Sequence, residues 1–251
     1  MPARLGWQGW VSPALALTAW LLLPAAAGHA QSIGEQLAAC KTEGAVVEAR
    51  ISACTRVVEG AKDDEEIRIE AHLQRGVLYE QAGNKEAAIS DYSEIIKLDP
   101  TNAIAYFNRG NVYDQLGEHD LSIADYTEAI KLDPADPDAF NNRGQAYDNK
   151  GEYDLAIADY TESIRLAKDN PRAFFNRGLA LAIKGEHQRA VADFSQAIKL
   201  EPGDAEAYVN RGAAYEELGN EAAARADYRK ALEIAPDHEE AKEALARLGT
   251  N

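Results

Sequence analysis

Residues 103–136 read AIAYFNRGNVYDQLGEHDLSIADYTEAIKLDPAD, and the 34 residues that follow, 137–170, read PDAFNNRGQAYDNKGEYDLAIADYTESIRLAKDN. The two strings share Asn-Arg-Gly, the tyrosine after it, a second glycine, and Ala-Asp-Tyr-Thr-Glu at matching places. The triplet returns as Asn108-Arg109-Gly110, Asn142-Arg143-Gly144, Asn176-Arg177-Gly178 and Asn210-Arg211-Gly212, always 34 residues apart. Gln74-Arg75-Gly76 sits one period earlier. Five units therefore follow one another without insertion, over 69–102, 103–136, 137–170, 171–204 and 205–238. Self-similarity at this period predicts stacked supersecondary units with no single central core.

Each unit reads as two amphipathic helices. In the second unit the first helix carries Tyr106, Gly110 and Tyr113 on one face. A turn is expected around Gly117, and the second helix carries Ile123, Tyr126, Ala129 and Ile130 before Pro134 stops it. Small residues recur where the two helices must approach closely: Gly76, Gly110, Gly144, Gly178 and Gly212 in the first, Ala88, Ser122, Ala156, Ala190 and Ala224 in the second. Tyr92, Tyr126, Tyr160, Phe194 and Tyr228 supply rings for the adjoining space. One hairpin cannot bury such rings alone, so neighbours must stack.

On these residues the chain resembles the tetratricopeptide repeat (TPR) family over residues 69–238. It departs where Arg75, Arg109, Arg143, Arg177 and Arg211 replace the usual leucine, and where Lys168 stands for a terminal proline. The resemblance implies an all-α fold, an α-α superhelix or solenoid of helical hairpins. Residues 239–251 read as a C-terminal capping helix with Ala241, Ala244, Leu245 and Leu248 turned inward. Residues 31–68 are helical in pattern but lack the glycine and tyrosine positions, and read as a divergent N-terminal hairpin.

The first thirty residues carry one basic residue, Arg4, no acidic one, and an apolar stretch from Val11 to Ala27. This is the layout of a secretory signal peptide, with cleavage expected after Ala30 and a periplasmic or secreted product that has no membrane span. The run is short for a bilayer and is interrupted by Pro13 and Pro24. The two cysteines, Cys40 and Cys54, are 14 residues apart in the divergent hairpin. An oxidising compartment favours a disulfide there, two buried thiols being the alternative.

The chain holds 26 Lys+Arg against 42 Asp+Glu, a net charge of −16. Such a surface repels phosphate backbones and anionic lipid, so nucleic acid is not expected as a partner. The histidines lie on different units without a second histidine or a cysteine at ligand spacing, and no phosphate loop or nucleophile elbow appears. No catalytic residue, metal or cofactor is assigned. The Arg-to-Asp interval of 16 residues, as in Arg109 and Asp125, recurs in every unit and reads as a structural ladder between helices.

In TPR arrays the first helices line the concave surface, which places the binding residues there by resemblance. One set is the amide ladder Asn108, Asn142, Asn176 and Asn210, with Gln74 before it, suited to a partner's peptide backbone. It resembles the asparagine ladder in the TPR superhelix of O-linked N-acetylglucosamine transferase. Bonding between neighbouring helices of the array is the alternative use of these amides. The other set is Phe175, Leu179 and Ile183, joined by Phe107, on a fourth-unit helix that is apolar all round. A partner's apolar anchor, the array's own curvature or a homodimer would each cover that face. The chain is thus read as an exported, non-catalytic adaptor or scaffold for a protein or peptide partner. A self-associating structural protein of the cell envelope and an enzyme with an unrecognised groove site are the rival readings.

Overall fold

The computed structural model describes the backbone of residues 24–249 and the side chains of 33–249. Residues 1–23 of the expected leader lie outside the described residues. The described chain forms thirteen α-helices and no strand. It divides into two compact units inside the third helix, between Leu78 and Tyr79.

The unit ending at Leu78 opens with α1 (Pro24–Lys41) and α2 (Val47–Gly60), packed as a hairpin, followed by most of α3 (Glu65–Gln81). Cys40 and Cys54 are joined by a disulfide between the two hairpin helices. The cystine is fully buried with Ala53 and Leu78, and Arg50 Nε donates to the Cys40 carbonyl at 3.0 Å. A second cluster buries Val57, Ala61 and Ala71 under Ile33, Leu37 and Ile67.

The unit from Tyr79 onward continues with α4 (Lys85–Leu98), then α5 (Ala103–Gln115) and α6 (His119–Leu132), α7 (Pro137–Asn149) and α8 (Tyr153–Leu166). After these come α9 (Pro171–Ile183) and α10 (His187–Leu200), α11 (Ala205–Glu217) and α12 (Glu221–Ile234), and finally α13 (Glu239–Leu248). Helix starts are set by local chemistry. Asn102 Oδ1 accepts from Ala105 N at 3.0 Å, and Asp136 Oδ1 accepts from Asp138 N at 2.9 Å with Pro137 in the first helical position. Each hairpin turns at a glycine with positive φ, +78° at Gly117 and +76° at Gly151, where a side chain would be strained.

Within each hairpin the close approach is measurable. A Cβ placed on Gly178 would lie 2.7 Å from Phe194 Cε1, and one on Gly110 would lie 2.9 Å from Tyr126 Cε1. The rings take that space and are fully buried, as are Ala156, Ala190 and Ala224. At the C-terminal end α13 lays Ala241 and Ala244 onto Tyr228 and Ala231, with Leu245 and Leu248 beside them.

The repeated arginine joins three helices. Arg177 on α9 makes a two-pronged pair with Asp193 on α10 (2.7 and 2.8 Å), and its remaining Nη1 donates to Thr161 on α8 at 3.0 Å. The same set recurs as Arg109 with Asp125 and Ser93, Arg143 with Asp159 and Thr127, and Arg211 with Asp227 and Ser195. The carboxylates are buried, and each guanidinium lies near the first-helix aromatic three residues before it. Planar forked donors suit this task, because one side chain bonds its own hairpin and the preceding one together.

Candidate functional site

Helices α5, α7, α9 and α11 touch one another in turn. On each, residues spaced i, i+4, i+7 and i+8 form one stripe. The stripe is Phe107, Asn111, Asp114 and Gln115 on α5; Asn141, Gln145, Asp148 and Asn149 on α7; Phe175, Leu179, Ala182 and Ile183 on α9; and Val209, Ala213, Glu216 and Glu217 on α11.

The asparagines do not all face outward with free amides. Tyr126 Oη donates to Asn111 Oδ1 (2.7 Å), which also accepts from Asn142 Nδ2 (2.9 Å). Asn142 Oδ1 accepts from Asn141 Nδ2, and Asn141 Oδ1 accepts from Asn176 Nδ2, each at 3.2 Å. This relay runs from α6 through α5 and α7 to α9, with Asn141 wholly buried at its centre. Asn210 Nδ2 bonds the Glu206 carbonyl of its own helix at 2.9 Å. The ladder therefore spends the donors of Asn142, Asn176 and Asn210 internally, while Asn108 is half-buried. Asn111 and Asn141 are members that sequence reasoning missed, although the Asn141-Asn142 doublet was the available signal.

The apolar set is likewise partly occupied. The Phe175 ring sits 5.7 Å from Phe194, and Phe107 sits 5.9 Å from Tyr126, both tilted. Leu179 and Ala182 pack with Phe175 against Leu181, Ala190 and Ala214. These side chains remain half-buried, and Ile183 is 60 % exposed. Packing against its own hairpin and against Ala214 of the next thus covers part of the α9 face and leaves its end open.

Carboxylates follow along the same side. Glu80 accepts from Tyr92 Oη, Asp114 meets His119 Nδ1 at 2.9 Å, and Glu216 accepts from Tyr228 Oη at 2.5 Å and Arg247 Nη2 at 2.7 Å. Asp148 differs: its Oδ1 is sealed from solvent and has no hydrogen-bond partner. Burial alone pushes its carboxyl above the usual aspartate range. Tyr92, Tyr126, Tyr160 and Tyr228 are pushed far above the usual phenol range, chiefly by burial, and stay neutral.

Among the described residues no group of three or more His, Cys, Asp or Glu is placed to hold a metal ion, and no helix is long and apolar enough to cross a membrane.

The tetratricopeptide repeat model matches residues 103–136, 137–170 and 205–238, and a related TPR repeat model matches 76–117 and 180–219. No curated protein sequence matches the chain. Among solved structures it is similar to YrrB, a TPR protein with an unusual peptide-binding site, at 26 % identity and a TM-score of 0.66, covering 77 % of this chain and 98 % of that one. It is also similar to MamA, at 28 % identity and a TM-score of 0.62, covering 68 % and 97 %. PilF of Pseudomonas aeruginosa shares the fold, with 15 % identity, a TM-score of 0.72 and coverage of 88 % and 99 %. The two repeat models together account for more than half of the sequence, and the protein belongs to the tetratricopeptide repeat family.

Proposed function

We propose that the protein is a non-catalytic adaptor that holds an extended segment of another polypeptide along the stripe of its first helices. The observation that carries this reading is the character of the stripe. Half-buried Phe107, Phe175 and Leu179 alternate with amides and carboxylates on a surface already fixed by the arginine and asparagine networks. A preformed face of mixed apolar and hydrogen-bonding groups binds a chain without a large ordering cost. YrrB, similar over most of both chains, is described by a peptide-binding site, which supports the same use here.

The site of action we infer is the periplasm or the medium outside the cell. The signal-like leader and the Cys40–Cys54 disulfide both favour an oxidising compartment.

A photo-crosslinking amino acid placed at Gln145 or Ile183, on the stripe, and at Ala158 on the exposed side of α8, tests the reading in the native extract. The proposal expects adducts to one other polypeptide from the stripe positions alone. Adducts equal at all three positions, or only to a second copy of the protein, would replace it with non-specific contact or self-association.

A further inference from the structure

The fifth position of the second, third and fourth repeats carries Phe107, Asn141 and Phe175, on α5, α7 and α9. First helices of successive repeats stack in the same sense, so one repeat position stands at one level along all of them. The two phenylalanines are built alike. Phe107 tilts on Tyr126 of its own hairpin with ring centres 5.9 Å apart, Phe175 tilts on Phe194 at 5.7 Å, and both are half-buried. Leu179 widens the second station by one helical turn. Between the stations Asn141 is wholly buried and bonded to Asn142 and Asn176, and the next residue of its stripe, Gln145, is exposed. In the fifth repeat the same position is Val209, which is buried. From α5 to α11 this level therefore reads apolar, amide, apolar, closed.

Helices in contact lie about 8–10 Å apart, which sets the two stations about 16–20 Å apart. Six residues of β-strand span about 20 Å and six of polyproline II about 19 Å. Both conformations return side chains i and i+6 to one face, because their periods are two and three. Five residues turn the second side chain away, and four span only about 13 Å. Midway, the Gln145 amide can donate to and accept from an extended backbone, whereas a helix has already bonded its own. The stripes of α5, α7, α9 and α11 hold Asp114, Asp148, Glu216 and Glu217 and no Lys or Arg. Glu216 is paired with Arg247, and Glu217 lies exposed. On a protein of net charge −16, such a face repels acidic segments and draws basic ones.

We propose that the groove recognises an extended basic segment with two apolar side chains six residues apart, one on Phe107 and the other on Phe175 with Leu179. This rests on the peptide-binding reading and names its specificity.

The test is fluorescence anisotropy of labelled dodecapeptides of serine with lysine at both ends, carrying one leucine or two leucines four, five or six residues apart. The six-spaced peptide should bind at least tenfold more tightly than the others, because it alone buries both leucines. Phe107→Ser and Phe175→Ser, each checked for intact helicity, should each lower it to the single-leucine level. Glutamate at the peptide ends should weaken binding severalfold at low salt and less at high salt. Equal binding at all spacings, an optimum at four or five, a six-residue preference that survives Phe107→Ser, or glutamate-ended peptides that bind as tightly each overturn the proposal. The spacing series on the unaltered protein decides the matter even where a serine variant does not fold. Light scattering that shows a dimer lost in Phe175→Ser would assign the stations to a second copy and also overturn it. If peptides bind alike at every spacing and Phe175→Ser releases them all, the peptide-binding reading stands without the spacing rule. If none binds up to millimolar concentration and the stripe crosslinks to nothing, both readings fall.

Discussion

Replacing Arg177 with alanine removes the two-pronged bond to Asp193 and the bond to Thr161 of the preceding repeat. Asp193 is 8 % exposed at its side chain and Arg177 18 %. An almost buried carboxylate would be left charged and unpaired, which costs about 3–5 kcal/mol for a buried pair. Water reaching the partly exposed guanidinium site places the value near 3 kcal/mol, on the order of a hundredfold in the folding equilibrium. Thr161→Val removes one neutral-to-charged bond and should cost about 1–2 kcal/mol. The paired replacement Arg177→Met with Asp193→Leu leaves no orphaned charge and should cost well under half of the single change. Urea titration followed by helical circular dichroism reads all three. A loss under about 1 kcal/mol for Arg177→Ala, or a double variant as weak as the single one, would refute the idea that the arginine ties hairpins together through a desolvated pair.

Gly178→Ala would press a methyl onto the rigid Phe194 ring at 2.7 Å; overpacking of about 1–3 kcal/mol outweighs a helix-propensity gain of about 1, so thermal melting should show a loss that Phe194→Leu in the same chain partly recovers. Asp148→Asn should stabilise the protein at pH 7, because burial raises the folded carboxyl above its usual value of 3.8 and penalises the charged form. That difference should shrink on acidification and vanish below 3.8, where both folded and unfolded carboxyls are protonated; a variant less stable at pH 7 contradicts this. Reducing the Cys40–Cys54 bond, which spans 14 residues, should loosen the α1–α2 hairpin by about 3 kcal/mol. Hydrogen exchange should then rise over residues 33–60 and not over 103–248.

Much of this was legible in the sequence. The 34-residue spacing and the small residues at Gly110 and Ser122 dictate hairpins, because nothing larger fits between Tyr126 and the first helix. The recurrence of Arg109 with Asp125 in every repeat marked it as structural for the same reason. What the sequence hid are contacts between repeats. Nothing in the period says that Arg177 reaches back to Thr161, although Ser93, Thr127, Thr161 and Ser195 all occupy one repeat position. The asparagine ladder is visible by period, but which amides turn inward depends on irregular neighbours such as Asn111 and Asn141. The apolar face of α9 is covered in part because Ala214 on the next hairpin leaves room for it, a fact of stacking and not of pattern.

We propose the first helices as the surface that holds another polypeptide. Hydrogen exchange of the protein alone and with its crosslink-identified partner segment tests this most directly. Slowed exchange confined to α5, α7, α9 and α11 is the predicted result. Protection that falls on α6, α8, α10 and α12, or no protection at saturation, would contradict it.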